Sequence, residues 1–247
     1  GSSTLELEGV SQAYEGVSVL SGVTVSLKGY ARIGVVGTSG SGKSTLLRLL
    51  AGLEDPAAGA FVLDGRDTLT TLRYESWEEQ VAYIPQDPTI FHASLRENLT
   101  FYNPQASDEH LHAVIEKLGL SELLVQLPQG LDTLIGEGAR GLSGGQAQRI
   151  ALARVVLDER KRIILFDEPT AHLDIETEME LKQAMVEVMQ ERLVVFATHR
   201  LHWLDTLDYL LVLEEGKLVE QGTTTQLLES TTHFATLVRA LCGGEAA

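Results

Sequence analysis

The sequence predicts an α/β fold: a parallel sheet with crossover helices, preceded by antiparallel strands and interrupted by a helical insert. Three observations predict it. Nearly continuous apolar runs, ARIGVVG, RIILF (162–166) and LVVFA (193–197), read as strands buried on both faces, as in a parallel sheet. The helical segment IETEMELKQAMVEVMQ stands between the last two, so strand and crossover helix alternate. Between Asp87 and Leu157 such runs disappear and helical segments take over.

Taken in order, residues 5–30 alternate apolar and polar side chains (LELEGV, VSVL, VTVSL) between glycine turns, which predicts short antiparallel strands with one solvated face. ARIGVVG then feeds a glycine loop and a helix. The insert at 87–157 holds SLRENL, SDEHLHAVIEKLG, SELLVQL and the helix after LSGGQ. YLLVLEEGKLVEQG closes the core as a hairpin turning at Glu215 and Gly216. Residues 4–247 read as one domain, with GSS at 1–3 a remnant of cloning and the closing GGEAA a frayed tail.

Composition narrows the function. The 247 residues are 44% hydrophobic, ample for a core, and no apolar run approaches the eighteen or so residues of a membrane helix. A net charge of −16 argues against a nucleic-acid partner, because phosphate backbones are held by clustered Lys and Arg. The one cysteine, Cys242, has no internal partner and fits a reducing compartment.

The first glycine loop reads Gly37-Thr38-Ser39-Gly40-Ser41-Gly42-Lys43-Ser44-Thr45, which satisfies G-x-x-x-x-G-K-[ST] between a buried strand and a helix. Its glycines let successive N–H groups turn toward one centre, an anion nest that the helix dipole reinforces. Lys43 supplies a point charge for the β- and γ-phosphates, and the Ser44 hydroxyl can ligate Mg²⁺. The strand RIILFDE delivers Asp167 to its end as a Mg²⁺ carboxylate, followed by Glu168 as candidate base for an attacking water. No N-K-x-D guanine-reading motif is present, so ATP is favoured over GTP. In the second loop, Ser143 and Gln146 stand at capping-box spacing. Met179, Met185 and Met189 read as packing residues and the histidines other than His199 as surface or packing residues, whereas His199 follows a buried strand.

From Leu5 to Leu228 the chain resembles the nucleotide-binding domain of the ATP-binding cassette (ABC) transporters. GTSGSGKST resembles the family's Walker A loop, RIILFDE its Walker B strand and LSGGQ its signature. The resemblance implies that Tyr14 lies under the adenine and that Gln86, in VAYIPQDP, senses Mg²⁺ and couples to a membrane domain. By the same resemblance Asp174, in PTAHLD, is the D-loop aspartate and His199, in FATHRL, the switch histidine. His172 departs from the family pattern, which places a small residue there.

In this family two such domains pair head to tail, and Ser143, Gly144, Gly145 and Gln146 of one close over ATP held by the Walker A loop of the other. Gly136-Glu137-Gly138 and PQDPTIFHASLRENLTF resemble exporter domains, which places the chain at the cytoplasmic face of the bacterial inner membrane. LPQGLDTLIGEGARGLSGGQAQR and THRLHWLDTLDYLLVLEEGKLVEQGT look closest to the half-transporters that export glutathione and cysteine for cytochrome bd assembly. Export of another cargo and a soluble, non-transport ABC ATPase are the alternatives.

Overall fold

The structure is a computed structural model that describes residues 4–28, 31–229, 234, 236 and 237. The expected cloning remnant, His233, Cys242 and the closing GGEAA lie outside the described residues. The chain runs β1 (Thr4–Tyr14), β2 (Val17–Lys28), β3 (Arg32–Val36), α1 (Lys43–Leu50), β4 (Ala58–Leu63), β5 (Asp67–Leu69), α2 (Glu75–Glu78) and β6 (Val81–Ile84). It continues β7 (Ala93–Ser94), α3 (Leu95–Leu99), α4 (Asp108–Lys117), α5 (Ser121–Gln126), β8 (Leu134–Ile135), α6 (Gly144–Val156) and β9 (Ile163–Asp167). The last elements are α7 (Ile175–Met189), β10 (Leu193–Thr198), β11 (Tyr209–Glu214), β12 (Lys217–Gly222) and α8 (Thr224–Glu229). They form two compact units. One comprises the chain up to Tyr83, Arg162–Glu168 and the chain from Glu191 onward; the other comprises Ile84–Lys161 and Pro169–Gln190.

The first unit carries both large sheets. One is antiparallel, in the order β2-β1-β4-β5. Its β1 and β2 run 11 and 12 residues, longer than the short strands the glycines predict. The reason is that Gly9 and Gly22, with φ of +58° and +60°, sit where the strand pairing is irregular, at a slip between Leu7 and Val10 and beside Val23, instead of reversing the chain. An unpaired residue in a strand bends it without ending it. Reversal comes at Glu15 and Gly16, both at positive φ, as a two-residue hairpin demands.

The other sheet has the order β12-β11-β3-β10-β9-β6. Strands β3, β9 and β10 pair in parallel, as their apolar runs predict; β11 joins β3 in parallel as well, and β12 returns antiparallel through Glu215 and Gly216 as the expected hairpin. Ile33, Val35, Leu165 and Val195 face a core shared with α1 and with Leu7, Leu20 and Phe61 of the antiparallel sheet. Helix α1 is buried nearly all round, through Leu46, Leu47, Leu49 and Leu50. Each such leucine contributes about 1.5–3 kcal/mol on leaving water, so the loop that starts this helix is anchored in the most apolar part of the unit. On the opposite sheet face Phe166, Phe196 and Trp203 stack in file, with centroids 5.2 and 4.6 Å apart.

The second unit holds α3 to α7. It is not strand-free as the sequence predicts, for β7 and β8 pair Ala93 with Ile135 and Ser94 with Leu134. It is also wider than 87–157, because α7 packs on α6 within it. Leu181, Met185, Val188 and Met189 form the buried face of α7. Met179 does not join them: it is 48% exposed, because two residues before Leu181 is about 200° around the helix, on the face away from the buried stripe. Arg154 is buried beside Asn98, donating to its carbonyl at 2.7 Å, with the rings of Phe91 and Phe101 over its guanidinium.

Candidate functional site

The glycine loop between β3 and α1 is shaped by close approach. A Cβ at Gly37 would lie 2.5 Å from Ser41 Oγ and 2.6 Å from the Leu213 carbonyl. Gly42 caps α1 in the left-handed region, at φ +101°, and a Cβ there would meet Leu20 at 2.7 Å. No side chain caps this helix, so its first amides are left to a ligand. Thr38, Ser39 and Gly40 form an exposed rim, whereas Ser41, Gly42, Lys43 and Thr45 are buried. The Ser41 hydroxyl is buried without a hydrogen-bond partner. An orphaned hydroxyl, a cradle that admits no Cβ and a free helix start together fit a phosphate chain.

Lys43 is 5% exposed, and its ammonium donates to the carbonyls of Gly37 at 2.7 Å and Thr38 at 3.0 Å. Burial holds its pKa below the usual lysine value, against the pull of Glu168 and Asp167. The Ser44 hydroxyl donates to Asp167 Oδ1 at 3.0 Å, and the phenol of Tyr83 donates to Oδ2 at 2.7 Å. Burial first, then this hydrogen bond, raises the Tyr83 pKa above the ordinary phenol value. A hydroxyl beside a carboxylate is a set of hard oxygen donors, which suits Mg²⁺.

Glu168 follows at the strand end with φ +46°, a left-handed conformation that costs a non-glycine residue about 1–3 kcal/mol. Its N–H donates to the Ala197 carbonyl, which ties the turn to β10. Glu168 Oε1 lies 2.6 Å from His199 Nδ1 and 3.8 Å from the Lys43 ammonium. The expected base, the expected switch histidine and the loop lysine are thus brought together in one unit. Tyr14 belongs to the same unit. Its phenol is hydrogen-bonded to Glu54, and Arg48 of α1 donates to it at 3.1 Å and to Glu54 at 3.3 Å. Tyr83, Arg48 and Glu54 were not foreseen, since each finds its partner through the fold.

The second unit places Gln86, Ser143, Gly144, Gly145 and Asp174 around a cavity of about 630 Å³, whose lining does not include Gln146. Ser143 and Gln146 form the expected capping box: Gln146 N–H donates to Ser143 Oγ at 3.1 Å, and Ser143 N–H donates to Gln146 Oε1 at 3.0 Å. Gly144 and Gly145 sit close to the start of α7: a Cβ at Gly144 would lie 2.9 Å from the Leu173 side chain just before it, and one at Gly145 2.9 Å from the Thr177 side chain within it. Asp174 caps α7, accepting the Thr177 N–H at 2.9 Å and its hydroxyl at 2.8 Å. Gln148, buried in α6, was not foreseen. Its amide donates to the carbonyls of Pro85, Gln86 and Pro169, at 3.0, 3.0 and 2.6 Å, and so fixes the backbone that carries Gln86. His172, the departure from the family pattern, lies 3.5 Å from Asp87.

A family model described as ABC transporter matches residues 20–171. The glutathione/L-cysteine transport system ATP-binding/permease protein CydC of Bacillus subtilis (strain 168) is 47% identical over 234 residues, covering 94% of this chain and 41% of that protein. The iron-sulfur clusters transporter ABCB7, mitochondrial, of Homo sapiens is 39% identical over 214 residues, covering 87% of this chain and 28% of that protein. A solved structure described as a bacterial Atm1-family ABC exporter with ATP bound aligns with a TM-score of 0.84 at 30% identity, covering 97% of this chain and 42% of that one. The chain therefore spans less than half the length of these relatives.

Proposed function

Because the chain belongs to the ABC transporter family, as an ATP-hydrolysing domain of exporter type, we propose that it powers export across the bacterial inner membrane by ATP-dependent pairing with a second such domain. The observation that carries the chemistry is Glu168, held between His199 and Lys43 at the end of the Walker B strand. Glu168 takes a proton from the attacking water. His199 holds Glu168 from the far side and reaches the γ-phosphate. Lys43, which now satisfies two loop carbonyls, neutralises the β- and γ-phosphates. Tyr14 stacks on the adenine.

Ser44 and Asp167 are the residues that would hold Mg²⁺, whose chemistry there is to neutralise phosphate charge. The second domain contributes its LSGGQ segment. The amides of Gly144 and Gly145 lie in the first turn of α6, where no intrahelical carbonyl awaits them, so they can donate to a phosphate presented from outside. Gln86, Glu137 and Asp174 transmit the closure to a membrane domain and to the partner cassette. The chain works at the cytoplasmic face of the membrane, without nucleic acid.

Identity to CydC supports thiol cargo, glutathione or cysteine. Identity to an iron-sulfur clusters transporter supports a different cargo as the second reading. Uptake of labelled cysteine and glutathione by inverted vesicles of the intact transporter decides between them. The shared-site mechanism is tested with Glu168→Gln, which should abolish turnover yet trap an ATP-dependent dimer in gel filtration. Loss of turnover with no dimer overturns the shared site.

A further inference from the structure

Tyr83 stands in β6, beside β9 in the six-stranded sheet, and its phenol donates to Asp167 Oδ2 at 2.7 Å. The other carboxylate oxygen accepts the Ser44 hydroxyl at 3.0 Å. Two donors on two different elements therefore hold the same carboxylate at both ends.

A carboxylate held at one oxygen keeps freedom about its Cβ–Cγ bond, where the torsion is broad. Held at both, its plane is set. The ring of Tyr83 packs against the apolar core of its unit, so the donor comes from a side chain that is itself held. Asp167 is 9% exposed, which makes water a poor replacement for the phenol. Phenylalanine at this position would keep the packing and lose only the donor.

We infer that Tyr83 is a positioning residue for the Mg²⁺ site: its phenol sets the plane of the Asp167 carboxylate and keeps Oδ1 on the Ser44 side. This rests on the proposed reading that Ser44 and Asp167 hold the ion of MgATP. Outer partners that orient a metal-binding group typically change metal affinity by about 10- to 100-fold when removed.

The test is a titration of a fluorescent ATP analogue bound to the purified chain, with Mg²⁺ varied and with EDTA, for the parent, Tyr83→Phe, Asp167→Asn and the double variant. Tyr83→Phe should raise the Mg²⁺ concentration for half-maximal effect about tenfold or more. It should leave analogue affinity in EDTA unchanged, and it should add nothing in the Asp167→Asn background. An unchanged Mg²⁺ midpoint overturns the inference. So does an equal loss of affinity in EDTA, which would make Tyr83 a packing residue. A parent chain whose affinity does not respond to Mg²⁺ removes the Mg²⁺ assignment itself, and this inference with it.

Discussion

His199 Nδ1 lies 2.6 Å from Glu168 Oε1, the oxygen that also faces the Lys43 ammonium at 3.8 Å. Both contacts fall on one oxygen, Oε1, so His199 and Lys43 together favour the rotamer that points the Glu168 carboxylate toward them. His199→Ala should lower kcat about 10²-fold or more while changing the KM for ATP far less. Single-turnover kinetics check this; a rise in KM alone would assign His199 to ground-state binding.

Gly42→Ala should destroy nucleotide binding. The left-handed φ of +101° and the 2.7 Å approach to Leu20 leave no room for a methyl group, so the loop must move. Left-handed backbone at a non-glycine residue costs about 1–2 kcal/mol before any clash. Isothermal titration with ATP reads the loss, and unimpaired binding would show that the loop tolerates the shift.

Ser143 caps α6 and also opens the signature segment, and two substitutions separate these roles. Ser143→Ala should lower unfolding stability by about 1 kcal/mol, measured by denaturant titration. Ser143→Arg should leave ATP binding to the monomer nearly unchanged while removing turnover. If monomer binding is lost, the segment acts on its own chain's nucleotide.

Gln148→Leu strips three carbonyls, those of Pro85, Gln86 and Pro169, of the same donor. Each buried acceptor left unsatisfied costs about 1–3 kcal/mol, part of which water recovers near the cavity. Turnover should fall further than stability alone explains, because the backbone of Gln86 is released. Comparing ATPase rate with melting temperature across Gln148→Leu and Gln148→Glu separates the two effects.

Asp174 titrates below its ordinary 3.8, first because it accepts the Thr177 N–H and then because it accepts the Thr177 hydroxyl. A lowered carboxylate pKa gives stability that is present above pH 3.8 and lost as pH falls through the folded value. The carboxyl carbon shift of Asp174 should therefore show a midpoint under 3.8, and Thr177→Val should move it upward. A midpoint at or above 3.8 would mean that the cap is not made in solution.

Much of the site was legible because its geometry is local. The Walker A spacing, the S-x-x-Q capping box and the Asp167–Glu168 pair are contiguous stretches whose backbone consequences follow from the residues themselves. The parallel strands were legible because burial on both faces leaves an unbroken apolar run. Strands β4, β5 and β6 are not legible: β4 opens on AGA and leaves three larger apolar residues, β5 has 3 residues and β6 has 4, too short for an apolar run to declare itself. Gly9 and Gly22 predict turns but form irregularities in the pairing, because a lone glycine in an alternating run signals a bulge or a reversal equally well.

By itself, then, the sequence determined the glycine loop before α1, the Ser143–Gln146 capping box, the parallel core and the family, all features carried by neighbours along the chain. Only the tertiary structure decided that Tyr83 reaches Asp167 across 84 positions, that Gln148 holds the backbone of Gln86 across 62, and that Arg48 and Glu54 hold Tyr14. The reason is physical: a hydrogen bond requires a donor and acceptor at about 3 Å, and which distant side chains reach that separation is set by how strands and helices pack, not by any spacing in the chain.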